Sequence, residues 1–188
     1  MFDKINLFLK TLIPNELQKN NFLNIVSYFV NPTRKLEKLY IMNNNKHLVD
    51  LLKCSFGDYY SYMPYDIKGI DYSYRNILKG KRLVLIEQPD EETHISQGYI
   101  SEITSAEWIY KDYKNSNDKF KIDFKALLLC KDYEKIIDKF IDKGIYRRIQ
   151  IIKLDIVEDN LELLKKYNLE ELSCEFISLL IKTYMYNK

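Results

Sequence analysis

Apolar residues recur at helical spacing through the first third of the chain. Phe2, Ile5, Leu9 and Leu12 share one helical face before Pro14, which ends that element or opens the next. Leu17, Phe22, Ile25, Val26 and Phe29 continue the period up to Asn31-Pro32. Thr33 offers an N-cap for Leu36, Leu39 and Tyr40, although Lys38 to Met42 also fits a short strand. Asn43-Asn44-Asn45 breaks the pattern. Leu48, Leu51 and Leu52 then form a short helix that Gly57 closes.

The middle of the chain loses that period. Residues 58–75 are dense in Tyr, Asp, Ser and Pro, with no clean alternation. Arg82 to Glu87 reads as a strand stopped by Pro89-Asp90, and His94 to Ile103 alternates weakly enough to pair with it as a hairpin. Thr104 or Ser105 caps a short helix holding Trp108 and Ile109, or these two lie on a strand.

The last third is plainer. Phe120, Ile122 and Phe124 alternate, and the run to Cys130 is continuously apolar, as in a strand buried on both faces. Asp132 caps a helix carrying Tyr133, Ile136, Ile137, Phe140 and Ile141, closed by Gly144. Ile145 to Val157 reads as a long strand with a slip in phase at Ile151-Ile152. Strand, helix, strand makes a βαβ unit and so at least one parallel pair. Asn160 opens a short helix, and Asn168 to Glu171 opens a final one buried through Leu172, Phe176, Leu179 and Leu180. The fold class is α+β: a helical N-terminal third, then a mixed sheet containing a βαβ unit, with C-terminal helices packed on it. One domain is expected over 1–188, mainly helical over 1–57 and α/β with C-terminal helices over 58–188.

Composition fits that picture and removes several classes. The chain has 188 residues, 46% of them hydrophobic, with only 5 Gly and 4 Pro, so it is neither disordered nor a linker. Three cysteines (Cys54, Cys130 and Cys174) form no CxxC pair, which disfavours a disulfide framework or zinc ribbon and fits a reducing cytoplasm. Cys130 and Cys174 read as small buried hydrophobes. The N-terminus resembles no signal peptide, and no apolar run approaches the roughly 20 residues of a spanning helix.

Net charge is +2, an average over unequal segments. Residues 83–110 contain Glu87, Asp90, Glu91, Glu92, Glu102 and Glu107 and no Lys or Arg. Such a stretch repels a phosphate backbone and attracts a basic protein.

Familiar catalytic patterns do not stand out. GxGxxG and GxxxxGK[ST] are both missing, and Lys79-Gly80-Lys81-Arg82 reads as a small basic turn. His47 and Cys54 lie seven apart on a helix, roughly 10 Å along its axis, too far for a dyad. Glu87, Asp90, Glu91, Glu92 and His94 match no calcium loop. Asp90 with Asp123-Phe124-Lys125 has the form of a PD-(D/E)xK nuclease site, in which carboxylates hold a divalent metal. Three D/E-x-K triplets occur, and chance alone supplies about three.

The tyrosines exceed background. Of 16 in the chain, Tyr59, Tyr60, Tyr62, Tyr65, Tyr72 and Tyr74 fall within sixteen residues. Tyrosine gives a large rigid contact area with a polar tip and is enriched at recognition surfaces. Together with Glu87, Asp90, Glu91 and Glu92 the six suggest a surface for a basic protein such as a toxin. The sequence-based expectation is therefore a cytoplasmic inhibitor or immunity-type module, tyrosine-rich and acidic, more a binder than an enzyme. No cofactor, metal or membrane is expected and nucleic acid is disfavoured. A metal-dependent nuclease, or a structural or regulatory protein of a virus or mobile element, is the alternative.

Overall fold

A computed structural model describes residues 2–31, 37–64, 77–88, 97–105, 108–110, 119–121, 123–137, 143–157 and 166–187. In chain order the elements are α1 (Asp3–Leu12), α2 (Glu16–Ser27), β1 (Leu39–Asn43), α3 (Lys46–Phe56), β2 (Tyr60–Pro64) and β3 (Leu83–Glu87). There follow α4 (Gln97–Thr104), β4 (Trp108–Tyr110), β5 (Lys119–Lys121), β6 (Lys125–Cys130), α5 (Tyr133–Ile137), α6 (Lys143–Tyr146), β7 (Ile149–Ile152) and α7 (Leu169–Tyr186). The chain divides into two compact units, one of Met1–Asn31, Asn44–Gly57 and Ile152–Lys188, the other of Pro32–Asn43 and Asp58–Ile151.

The first unit is helical. Ile5, Leu9 and Leu12 of α1, Phe22 and Val26 of α2, Leu48 and Leu52 of α3, and Leu172, Phe176 and Leu180 of α7 are all buried. Each fully buried aliphatic or phenyl side chain contributes about 1.5–3 kcal/mol by leaving water. The Phe22 and Phe176 rings stack at 6.3 Å. Asparagine sets three of the helix starts: the side chain of Asn15 accepts from Leu17 N and Gln18 N, that of Asn45 from Leu48 N, and that of Asn168 from Glu170 N. Each satisfies donors that the first helical turn leaves open. Glu171 completes no capping box; its carboxylate pairs with Lys4 instead. Gly57 closes α3 at φ +47, a left-handed backbone that glycine tolerates.

The second unit is built on a five-stranded sheet in the order β2-β3-β6-β1-β7. The pairs β2–β3, β3–β6 and β6–β1 are parallel, with Leu83 opposite Lys125 and Leu39 opposite Ala126. β4 and β5 form a separate antiparallel pair. Leu39, Ile41, Met63, Val84, Ile86, Ala126 and Leu128 cover one face and pack with Tyr99, Ile100 and Ile103 of α4, Ile136 of α5 and Ile145 of α6. The alternate residues Tyr40, Met42, Leu85, Leu127 and Leu129 are buried too. Burial on both faces explains why these strands read as apolar runs without alternation.

The α+β class, the mixing of helix and sheet and the strand–helix–strand passage from β6 to β7 agree with the sequence. Particular elements differ. Residues 97–104 are helix, not a hairpin strand: Tyr99 and Ile103 fit an alternation but Ile100 falls out of phase, and the core takes in all three as a helical stripe. Trp108 and Ile109 lie on a strand. The long strand expected over 145–157 contracts to Ile149–Ile152, since Ile145 belongs to α6. Phe120 and Leu127 belong to different strands, β5 and β6. Leu17 is exposed, and so is Cys174, which was expected in the core. Thr33 and Asn160 lie outside the described residues. No helix among the described residues is long and apolar enough to cross a membrane.

Candidate functional site

In the sheet unit, charge and aromatic surface meet where β2 and β3 begin. A short turn carries the cations. Leu78 is buried in the core beside it, Lys81 N donates to Leu78 O at 3.2 Å, and Gly80 takes φ +76 between them. A left-handed residue at that point lets the chain reverse tightly, which only glycine does without strain. The turn is then fastened to the residues before β2. Arg82 N donates to Tyr59 O at 2.7 Å, and Lys81 Nζ donates to Asp58 O at 2.7 Å. The Arg82 guanidinium lies over the Tyr59 ring, 5.5 Å from its centroid. Lys79 is exposed, Lys81 and Arg82 are half-buried, and Tyr59 is 57% exposed. Three cations and an aromatic face are thus pre-positioned, against carboxylates at Asp58 and Asp123.

The remaining tyrosines divide. Register places Tyr60 opposite Leu83 and Tyr62 opposite Leu85, on the face that Met63 and Ser61 do not share. Tyr62 is 41% exposed and Tyr60 half-buried. Burial raises the Tyr60 phenol above its ordinary value, with smaller contributions from the charges of Glu87 and Tyr62. Tyr65, Tyr72 and Tyr74 lie outside the described residues, as do Asp90, Glu91 and Glu92. Glu87 ends β3, half-buried, opposite Leu129. The six-tyrosine surface is therefore described only in its first half, and of its acidic members only Glu87 is placed.

The nuclease-like residues do not converge among those described. Asp123 and Lys125 stand where β6 begins, and Lys125 Nζ donates to Asp123 O at 3.2 Å. β3 leaves the sheet at its other end: Gln88 N donates to Leu129 O at 3.0 Å, four strand residues or roughly 13 Å from the level of Lys125. Asp90 is outside the described residues. No group of three His, Cys, Asp or Glu among the described residues is placed to hold a metal ion.

The carboxyl ends of the strands are the usual ligand-binding edge of a parallel sheet, at the point where successive connections run in opposite directions. Here that point falls between β1, which connects onward to β2, and β6, which connects to β7. Asn43 and Cys130 face each other in register there. Cys130 Sγ contacts Met42 O at 3.6 Å, and burial, with Asp132 adding to it, pushes the thiol up to about 12. The Asn43 side-chain oxygen is buried with no partner. Only Asn44 and Asn45 join β1 to α3. Counted back from Lys46, the glycines of a GxxxxGK[ST] loop would fall at Tyr40 and Asn45, and its Ser or Thr at His47. Tyr40 is buried within β1, and the Asn45 side chain already accepts from Leu48 N. A loop that cradles phosphates has no room in a connection this short.

The basic turn and the tyrosines were both visible in the sequence, and their meeting was not. A charge count over 58–75 gives −1 and stops just short of Lys79, Lys81 and Arg82. The pairing of β2 with β3 brings those cations to Tyr59, and the sign of the local field changes.

No protein-family model matches the chain. A protein of Acanthamoeba polyphaga mimivirus named as a helicase is 28% identical over 167 residues, covering 80% of this chain and 17% of that protein. The chain thus spans about a sixth of that relative's length. Among solved structures, three apo structures of the NrS-1 C-terminal region align with TM-scores of 0.60, 0.58 and 0.56. They share 15–16% identity with this chain, over 96–98% of it and 43–45% of their own length. At that identity the likeness is one of fold. These findings overturn the inhibitor or immunity reading: the sequence relative is named as a helicase, not as an inhibitor or immunity protein. The acidic segment that prompted that reading is local, whereas the placed cations lie beside the exposed tyrosine.

Proposed function

We propose that this chain is a nucleic-acid-associated module of a viral replication protein, helicase-related in descent. The observation that carries the reading is the 28% match to a helicase-named viral protein across 80% of the chain. The placed cations at the start of β2 and β3 support it, because phosphate contacts dominate nucleic-acid affinity. Helicases couple nucleotide turnover to movement on a strand. The GxxxxGK[ST] pattern does not occur in this sequence, and the part assigned to the chain by this reading is contact with nucleic acid. Its setting is the reducing cytoplasm, where three free thiols are at home.

The test is equilibrium binding of the 188-residue chain to single-stranded, duplex and forked oligonucleotides at about 50 and 200 mM salt. Saturable binding that weakens with salt is expected. No binding to any of the three removes the reading. Saturable ATP binding by the chain, lost in Lys46→Ala, would return a nucleotide site to it.

A further inference from the structure

We infer that the turn Lys79-Gly80-Lys81-Arg82 and the Tyr59 ring form a binding site for single-stranded nucleic acid; this rests on the nucleic-acid reading above. Single strands differ from duplexes in offering unstacked bases, so a site for them combines cations for the backbone with an exposed aromatic face for a base. Both are present within one short piece of surface. Tyr59 is exposed, and its ring is already oriented by the guanidinium lying 5.5 Å from its centroid. An arginine on a ring is a platform to which a base can add, because the guanidinium plane and the tyrosine face both stack.

The phosphate side is equally fixed. The Lys81 ammonium donates to Asp58 O and the Arg82 guanidinium lies over the Tyr59 ring, so these two cations are ordered before binding. Lys79 projects from the same turn, exposed. Asp58 carries an opposing charge beside the turn, and Asp123 precedes the strand whose Lys125 N donates to Arg82 O, so two carboxylates stand against the three cations. The balance of Lys79, Lys81 and Arg82 against Asp58 and Asp123 leaves the turn positive. β2 lies at the edge of the sheet order, so the site opens at a strand without a second described neighbour.

Three cations on the backbone give log affinity against log salt a slope of about −2, since each phosphate neutralised on a single strand contributes about −0.7. The experiment is fluorescence anisotropy of a labelled oligo(dT), an oligo(rU) of the same length and a matched duplex. They are titrated with the wild-type chain, Lys79→Glu/Lys81→Glu, Tyr59→Ala and Tyr59→Phe, after circular dichroism shows each variant folded.

The double charge reversal is expected to weaken oligo(dT) binding at least tenfold and to flatten the salt slope by about 1.4. Tyr59→Ala is expected to weaken it about fivefold or more, while Tyr59→Phe keeps most of the affinity because the ring remains. Wild-type chain that binds the strands while both altered sites bind equally well would overturn the site and leave the nucleic-acid reading standing. Wild-type chain that binds nothing would remove both. Duplex bound as tightly as oligo(dT), with Tyr59→Ala unchanged, would overturn the stacking role and with it the single-strand assignment. A preference between oligo(dT) and oligo(rU) decides which single strand the site takes.

Discussion

Strands β6 and β2 lie on either side of β3 and both run parallel to it, yet they have little else in common. Every residue of β6, from Lys125 to Cys130, is buried. β2 buries Ser61 and Met63 and leaves Tyr62 in water. Backbone pairing with β3 is the same in kind on both sides, so pairing does not decide what a strand presents. The number of neighbours does: among the described residues β6 has β3 and β1, whereas β2 has β3 alone. A central strand is committed to packing. An edge strand retains side chains, and the turn beside it, for contact with something else.

The largest effect expected from that difference is on stability. Leu128→Ala removes a side chain fully buried in the core on a strand flanked by β3 and β1 and should cost about 2–5 kcal/mol of unfolding free energy. Tyr62→Ala removes a cross-strand contact with Leu85 at the edge and should cost about 1 kcal/mol at most. Urea unfolding of the two variants makes the comparison directly. Equal costs would mean that the edge is packed as tightly as the centre, and the contrast would fail.

The same contrast explains what could be read from the chain beforehand. β6 was legible because a strand buried on both faces is an apolar run, and Ala126 to Cys130 is one. The helices of the first unit were legible from their stripes, with Asn168 and Gly57 marking ends that the structure confirms, whereas the helix over 97–104 and the end of that over 143–146 read as strand. β2 was illegible. Its interior residues are a serine and a methionine and its outward ones are tyrosines, so the larger aromatic side chains point the wrong way for a pattern based on hydrophobicity. The candidate site was missed for a different reason. Tyr59 and Arg82 are 23 positions apart, and only the register Tyr60 to Leu83 makes them neighbours. Asp123-x-Lys125 shows the converse, a local motif whose lysine is occupied by its own main chain. Spacing along the sequence identifies elements, but a site assembled from two strands depends on their register.

A second test concerns the cysteine at the end of β6. Cys130 is buried, and burial raises its thiol from 9.0 to about 12. Cys174 lies exposed on α7. A disulfide reagent at about pH 8 should label Cys174 promptly and Cys130 only as the chain unfolds, because the thiolate is the reacting form and access limits it. The pH dependence has a definite sign. The folded state holds the Cys130 proton more tightly than the unfolded state, so the neutral thiol is fully compatible with folding below pH 9. Above that the unfolded chain gives up its proton first, and stability falls until the pH passes about 12. Cys130→Ala removes this contribution, and its stability should decline less steeply over that window than the wild type's. Prompt labelling of native Cys130 would show that β6 is open at its carboxyl end.

The smallest expected effect is the most specific to the edge. Tyr60 and Glu87 lie on one face of β2 and β3, and the phenol is raised first by burial and then by the carboxylate. Glu87→Gln should therefore lower the Tyr60 titration midpoint while leaving it above the ordinary value of 10.0, because the larger cause remains. The measurement is the alkaline absorbance change at the phenolate band, taken as the difference between each protein and its Tyr60→Phe counterpart. A raised phenol favours the folded state below pH 10 and loses that advantage as the pH climbs past it, so the same substitution should leave the onset of alkaline destabilisation near pH 10 and make the loss slightly smaller. Should Tyr60 ionise at its ordinary value in the wild type, β2 would be as open along its length as it is at Tyr59. The half-covered edge would then give way to a fully exposed strand, and the base-stacking surface would extend past Tyr59 onto Tyr60 and Tyr62.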